Sequence, residues 1–172
     1  MKTIKIILGI ITVLVVAFFA TGIVVKDIKY TAEVEINKNI RTVFSMFTDA
    51  KKFIQWQPEI VAIRPITEKE QITGSTYELT IKNGEQKIKM QEVIKTYLAN
   101  QTITFQFRSN NLLKTDTYTF QSKGGRTKII QNSALINNSY IASCIFPYFK
   151  GALKEKSQES LERLKKIVEQ TK

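Results

Sequence analysis

The chain has 172 residues, of which 26 are Lys or Arg and 15 are Asp or Glu, so its formal net charge is +11. This length predicts a single ordinary domain. The sequence has no His and one Cys, which excludes Ser-His and Cys-His catalytic pairs, intrachain disulfides and His- or Cys-ligated metal sites. We therefore expect no metal and no cofactor, and a function that rests on shape, burial or carboxylate chemistry.

Residues 6–25 form an apolar run without a charge. A helix of that length spans about 30 Å, which is the thickness of the hydrocarbon core of a bilayer. Lysines flank both ends of the run: Lys2, Lys5, Lys26 and Lys29. We predict a membrane anchor over 1–26, with its transmembrane helix at about 6–25, in a single-pass protein of the bacterial cytoplasmic membrane.

Two alternatives to an anchor are a cleaved signal peptide and a buried core helix. The run is longer than a usual signal-peptide core, and it has no polar stripe such as a surface-packed core helix shows. Because lysines lie on both sides, the positive-inside rule assigns no orientation. The remaining residues, 27–172, form the predicted soluble domain.

The soluble domain begins with an alternating strand, residues 28–36, followed by two short helices. Asn37 or Asn39 can cap the first helix, and Asp49 can cap the second, which ends before Pro58. Strands are then predicted over 60–67, on both sides of Asn83-Gly84, and over 102–108, 114–121 and 126–135. From about Tyr140 the apolar period becomes helical, and Pro147 is expected in the first turn of a long C-terminal helix.

The predicted fold class is therefore α+β: a curved antiparallel sheet of six or seven strands that wraps around the long C-terminal helix. Strands at such short spacing require an antiparallel meander. The amphipathic helix has to cover the apolar face of that sheet. A sheet folded around one helix leaves a cavity between them, and we expect this cavity to be the functional site.

The chain resembles the SRPBCC superfamily, also called START-like, Bet v 1-like or polyketide cyclase-like. The resemblance lies in a strand ending VEIN, the segment KNIRTVFSMFTDAKKFIQWQP and the closing helix SLERLKKIVE, and it covers residues 28–170. It implies the helix-grip fold and an apolar or amphipathic ligand beneath the long helix. Some members of the superfamily are cyclases, others act in lipid transport, and bacterial members with one N-terminal transmembrane helix are known.

Aromatic residues are the candidate ligand-binding side chains. Phe53 and Trp56 are expected at the rim of the cavity, strand aromatics in its walls, and two further Phe residues at the start of the long helix. The strand and helix candidates are Tyr77, Phe105, Phe107, Tyr118, Phe120, Phe146 and Phe149. The alternative for each of them is ordinary core packing.

The weak catalytic candidates are Glu92, Asp116 and Tyr77. Glu92 shares a strand face with Met90 and Ile94 if that strand is regular, whereas a β-bulge near Gln91 would turn it outward. Asp116 alternates with aromatic residues and has the same ambiguity. We expect both carboxylates to face solvent, because Asp and Glu are rarely buried.

The basic surplus is dispersed, and no helix-turn-helix, phosphate-binding glycine loop or arginine cluster occurs, so we expect no nucleic-acid partner. A membrane bilayer with anionic headgroups is the expected surface partner. The leading hypothesis is a membrane-anchored domain that binds a hydrophobic or amphipathic small molecule, such as a lipid, without catalysis. The alternatives are a cyclase-, dehydratase- or hydrolase-like enzyme that uses a cavity carboxylate or tyrosine, and a membrane-tethered protein-interaction module.

Overall fold

A computed structural model describes residues 2–25 and 27–171. Lys26, one of the predicted flanking lysines, lies outside the described residues. The helices are α1 (Lys2–Val24), α2 (Ile40–Thr48), α3 (Ala50–Trp56), α4 (Tyr140–Ile145) and α5 (Lys150–Gln170), with a 3₁₀ turn at Phe146–Phe149. The strands are β1 (Asp27–Ile36), β2 (Ile60–Thr67), β3 (Thr76–Asn83), β4 (Gln86–Leu98), β5 (Thr102–Ser109), β6 (Leu112–Lys123) and β7 (Arg126–Asn137).

The seven strands form one antiparallel sheet in the order β1-β7-β6-β5-β4-β3-β2. Strands β2 to β7 form a meander, in which each strand pairs with the next one in the sequence. Strand β1 pairs with β7, so β1 and β2 lie at opposite edges of the sheet. Strand β1 buries every second residue, as its alternating sequence predicts. The predicted α+β helix-grip fold is confirmed.

The two short helices follow β1 and lie against the inner face of the sheet. Asn39 begins α2 by accepting a hydrogen bond from the backbone N–H of Thr42 at 3.0 Å. Asp49 begins α3 in the same way, accepting from the N–H of Lys51 at 2.8 Å. Such caps satisfy N–H groups that have no partner inside the helix. Of the two asparagines considered, Asn39 is the cap.

Helix α5 packs against β1 and the short helices, and buries Leu161, Leu164 and Val168. The expected start of this helix near Pro147 is wrong by about one turn. Pro147 lies in the 3₁₀ turn, and α5 begins at Lys150. Because proline has no N–H to donate, it interrupts the hydrogen-bond ladder between α4 and α5.

Helix α1 lies outside this core. It has 23 residues, none of them buried, and it is long and apolar enough to cross a bilayer. Its C-terminal half contacts α4: the Tyr140 hydroxyl donates to the carbonyl of Phe19 at 2.7 Å, and the Thr21 hydroxyl donates to the carbonyl of Cys144 at 3.2 Å. A side chain at Gly22 would clash with the sulfur of Cys144, so glycine permits the close approach of the two helices.

Candidate functional site

Two adjoining cavities lie on the inner face of the sheet. The first, the inner cavity, has a volume of about 250 Å³ and lies between the sheet and helices α3 and α5. The second, the side cavity, has a volume of about 330 Å³ and lies between α2, α3 and strands β3 to β5. Phe53 and Phe105 line both of them, so these two rings separate the cavities.

The inner cavity is mostly apolar but carries one connected polar wall. The Lys114 ammonium donates to Asp116 Oδ2 at 2.7 Å, and the Ser133 hydroxyl donates to Asp116 Oδ1 at 2.7 Å. The amide of Gln131 donates to Ser133 Oγ at 3.1 Å and to Ser157 Oγ at 3.3 Å. The network thus joins β6, β7 and α5 across the cavity. We call these five residues the polar network.

Lys114 is the member of the polar network that remains accessible. Its side chain is 25% exposed, whereas that of Asp116 is 3% exposed, and it lines the inner cavity. Its Nζ also lies 5.8 Å from the centre of the Phe107 ring, within the range of a cation–π contact. Burial lowers the pKa of Lys114, but the Asp116 carboxylate and the Tyr30 hydroxyl together raise it above its ordinary value. Lys114 is therefore a cation held at the cavity wall.

Glu92 lies in the wall of the side cavity and is 6% exposed. Burial, followed by the negative charge of Asp116, raises the pKa of Glu92 to about 8. Its Oε2 is buried without a hydrogen-bond partner among the described residues. A carboxyl group in this setting stays protonated near neutral pH and can donate a hydrogen bond or a proton.

The expectation that Glu92 faces solvent is wrong. Strand β4 pairs with β3 without a register shift from Gln86 to Val93, and its bulge lies later, between Ile94 and Thr96. The regular alternation therefore carries Glu92 to the inner face, as the unbulged alternative requires. Along β4, which the structure describes throughout, no bulge occurs near Gln91.

The same expectation for Asp116 is also wrong, because its side chain is buried with those of Tyr118 and Phe120 on the inner face of β6. The cost of burying this charge is offset by Lys114, two positions earlier on the same strand face. Sequence reasoning missed Lys114, Gln131, Ser133 and Ser157. The spacing of Lys114 and Asp116 was a readable signal for an inward ion pair, since residues two apart in a strand share a face. Burial and the charge of Asp116 also raise the pKa of Tyr118 well above its ordinary value.

Five of the predicted aromatic residues lie in the cavity walls. Phe53 and Phe105 line both cavities, Phe107 and Tyr118 line the inner one, and Tyr77 lines the side one. Burial and then the neighbouring Glu68 raise the pKa of Tyr77. These five residues are the aromatic surface that a bound molecule would meet.

The other four predicted aromatic residues line neither cavity. Trp56 is fully buried and its ring packs against Phe47 and Phe53. Phe120 packs against Phe44 and Phe47 in the core. Both residues lie where the apolar faces of α2 and α3 pack against the sheet, and this packing keeps both side chains out of the cavity walls.

Phe146 and Phe149 lie in the 3₁₀ turn before α5. Phe146 packs against a small cluster built on Ile28, Tyr30 and Leu135. Phe149 is exposed. Because α5 starts after this turn, neither ring lies over the inner cavity.

Within residues 2–25 and 27–171, no group of three or more His, Cys, Asp or Glu side chains is placed to hold a metal ion. The chemistry available in the cavities is that of carboxyl, ammonium, hydroxyl and amide groups.

The chain matches the family described as polyketide cyclase / dehydrase and lipid transport over residues 27–169. No curated protein sequence is matched. Similar solved structures include an aromatase/cyclase, Zhui, from Streptomyces sp. R1128, with a TM-score of 0.69 and 9% identity over 83% of this chain and 94% of that one. Norcoclaurine synthase from Thalictrum flavum, in complex with dopamine and hydroxybenzaldehyde, has a TM-score of 0.64 and 13% identity over 89% and 92%.

A further similar structure is a protein from Thermus thermophilus, with a TM-score of 0.64 and 14% identity over 81% of this chain and 96% of that one. At these identities the structures establish the shared fold. With the family match they confirm the expected SRPBCC superfamily, preceded here by the apolar helix α1.

Proposed function

The chain belongs to the polyketide cyclase / dehydrase and lipid transport family, and we propose that it binds one small amphipathic molecule in the inner cavity while anchored to a membrane. The observation that supports this most is the polar network on one wall of a mostly apolar cavity of about 250 Å³. The other non-aromatic polar residues of the lining are Gln57, Glu59, Lys156 and Ser160. Ligand sites of proteins have this composition, with apolar walls and a few placed polar groups. The volume lies just below the usual range of about 300–1,000 Å³, which suits a small ligand.

The lining of the inner cavity suits a ligand that has an apolar part and a polar head. Phe53, Phe105 and Phe107 offer aromatic surface to an apolar part. The Lys114 ammonium, which carries three N–H groups, offers a donor to a hydroxyl, carbonyl or carboxyl head. The Lys114 ammonium is the accessible charge of this ion pair, while the Asp116 carboxylate is buried. A neutral or anionic head can therefore be accommodated, whereas a cationic head meets a like charge.

The membrane anchor of the proposal is α1, kept on the mature protein. A cleaved signal peptide needs no fit to the folded domain, yet α1 has one: Phe19 and Thr21 are hydrogen-bonded to α4, and Gly22 permits close contact with Cys144. These contacts favour an uncleaved helix. Because β1 begins at Asp27, soon after α1 ends at Val24, an anchored α1 keeps the domain near the bilayer.

Trp56 provides a built-in reporter for the test, since it is the single Trp of the chain. Its ring centre lies 4.9 Å from that of Phe53, which lines both cavities, so a ligand that touches Phe53 alters the emission of Trp56. The full chain in phosphatidylcholine nanodiscs is titrated with decanol, decanoic acid and decyltrimethylammonium. We expect saturable changes for the first two probes and none for the cationic one.

Ile81→Phe and Ile66→Phe form a matched pair of controls. Ile81 lines the inner cavity, so the added ring volume should weaken binding about tenfold, or about 1.4 kcal/mol. Ile66 is exposed on β2, and its variant should bind like the parent. Titrations without saturation, or equal affinities for the two variants, would refute a ligand in the inner cavity.

The second candidate function is acid–base catalysis, which the buried, unpartnered carboxyl of Glu92 favours specifically. A protonated Glu92 can give a proton to a carbonyl or leaving hydroxyl of a molecule in the side cavity. The test follows the mass of the ligand that co-purifies with the full chain. Conversion by the parent, lost in Glu92→Gln with binding unchanged, supports an enzyme; a ligand that the parent leaves unchanged refutes it.

The third alternative is a protein-interaction module, which a collapsed cavity beside an exposed apolar patch would favour. The inner and side cavities are open, so this observation does not favour it and we do not propose it.

A further inference from the structure

We infer that the segment 140–149, made up of α4 and the 3₁₀ turn, lies in the surface layer of the bilayer beside α1 and forms a second membrane contact. This inference rests on the proposed role of α1 as an anchor and goes beyond it, because one transmembrane helix does not by itself bring the domain onto the lipid surface. We call residues 140–149 the interfacial segment.

The composition of this region differs from that of the rest of the chain. Residues 129–149 contain no charged residue, in a chain that is 24% charged, and Lys150 follows directly. The interfacial segment itself contains two tyrosines and two phenylalanines, aromatic types that are found where protein meets the boundary between headgroups and acyl chains.

Helix α4 has two apolar faces that are directed differently. Tyr140 and Cys144, one turn apart, contact α1. Ile141 and Ile145, also one turn apart, are exposed, with Ile141 at 64%. Tyr148 in the 3₁₀ turn is exposed to the same extent, although its ring stacks on that of Phe18 in α1. Among the described residues, the face formed by Ile141 and Ile145 is thus left exposed beside the apolar helix α1.

The contacts with α1 set the depth of the segment. Tyr140 bonds the carbonyl of Phe19, and the ring of Tyr148 stacks on that of Phe18 at 6.1 Å between centres. Phe19 precedes the end of α1 at Val24 by five residues, which is about 7.5 Å along the helix axis. Interfacial helices bury their apolar face about 5–10 Å into the boundary between headgroups and acyl chains. A depth of about 7.5 Å matches this range, and the uncharged segment brings no charge into the bilayer.

The interfacial segment packs against a cluster of residues, several of which also line the inner cavity. Leu112, Leu135 and Leu153 line that cavity, and they belong to the same small apolar cluster as Phe146 of the interfacial segment. A segment seated in lipid therefore places this part of the cavity wall near the membrane surface. An amphipathic molecule could pass between bilayer and cavity there without crossing water.

The test is depth-dependent quenching of introduced tryptophans in the full chain, in nanodiscs of phosphatidylcholine brominated at either a shallow or a deep acyl position. Ile141→Trp and Tyr148→Trp report on the interfacial segment, and the second is a conservative change at an exposed ring. Ser122→Trp is the control, because Ser122 lies about 30 Å from α1. It pairs with Thr127, which in turn pairs with Ile36 at the end of β1 that is farther from α1. The emission of Trp56, measured in the parent chain, is subtracted from the emission of each variant.

Ile10→Trp, in the middle of α1, separates the two claims. We expect Ile10→Trp to be quenched by the deep label, Ile141→Trp and Tyr148→Trp by the shallow label, and Ser122→Trp by neither. Quenching of Ile10→Trp alone would overturn the interfacial segment and leave the anchor standing. An unquenched Ile10→Trp would overturn both.

Discussion

The carboxyl of Glu92 makes the stability of this protein depend on pH in a direction opposite to that of most acidic residues. Its pKa is raised from 4.5 to about 8 by burial and by Asp116. The unfolded chain releases this proton above about pH 4.5, while the folded chain keeps it up to about pH 8. In that window the folded state binds more protons, so the free energy of unfolding falls as pH rises.

The magnitude follows from the two pKa values. At about 1.36 kcal/mol per pH unit, the difference between 4.5 and about 8 corresponds to about 5 kcal/mol. Glu92→Gln keeps the shape of the side chain and removes the titration. We expect this variant to match the parent at pH 4.5 and to exceed its stability by about that amount at pH 8, which is a large share of a typical 5–15 kcal/mol.

Urea unfolding in a nonionic detergent, followed by circular dichroism from pH 4.5 to pH 9, measures this difference. Glu85→Gln removes the same charge from an exposed position in the hairpin that precedes Glu92, and it controls for net charge. If the parent and Glu92→Gln keep a constant difference over the whole range, the buried, raised-pKa carboxyl is refuted.

Two further substitutions test contacts away from Glu92. Lys114→Met leaves the buried carboxylate of Asp116 without its cation and should lower the free energy of unfolding by about 3 kcal/mol. The control is Lys89→Met, in an exposed ion pair, which should lower it by about 1 kcal/mol or less. Equal losses for the two variants in urea unfolding would argue against the polar network. Gly22→Leu should separate α1 from α4 and expose the single cysteine, Cys144, to a maleimide reagent. Gly9→Leu meets no atom within 4 Å and should leave the cysteine protected; labelling at the same rate in both variants would contradict the docking of α1.

The fold could be predicted because its signals are local. Alternation in β1, the Asn83-Gly84 hairpin signal and the capping residues of the two short helices each depend on neighbours in sequence. The hairpin forms where the signal predicts it, with Gly84 and Glu85 as its two loop residues. The apolar run of α1 needs nothing beyond length and composition. The start of α5 was misplaced, since Pro147 is equally compatible with a helix start and with the 3₁₀ turn that it occupies.

The candidate site could be predicted only in part, because the burial of a charge is decided by partners distant in sequence. Asp116 is buried because Lys114 and Ser133 bond both of its oxygens, and Ser133 comes from the neighbouring strand. Glu92 is buried because the bulge in β4 falls after Ile94. A general rule that carboxylates face water failed at both residues. Such departures from local expectation are typical of functional sites.

Native mass spectrometry of the full chain, released from nanodiscs, tests the central claim most directly. The account predicts one bound amphipathic molecule per chain, retained by Ile66→Phe and largely lost from Ile81→Phe, which narrows the inner cavity. A chain that carries no adduct, or adducts that both variants retain equally, would contradict the proposal that this cavity holds a ligand.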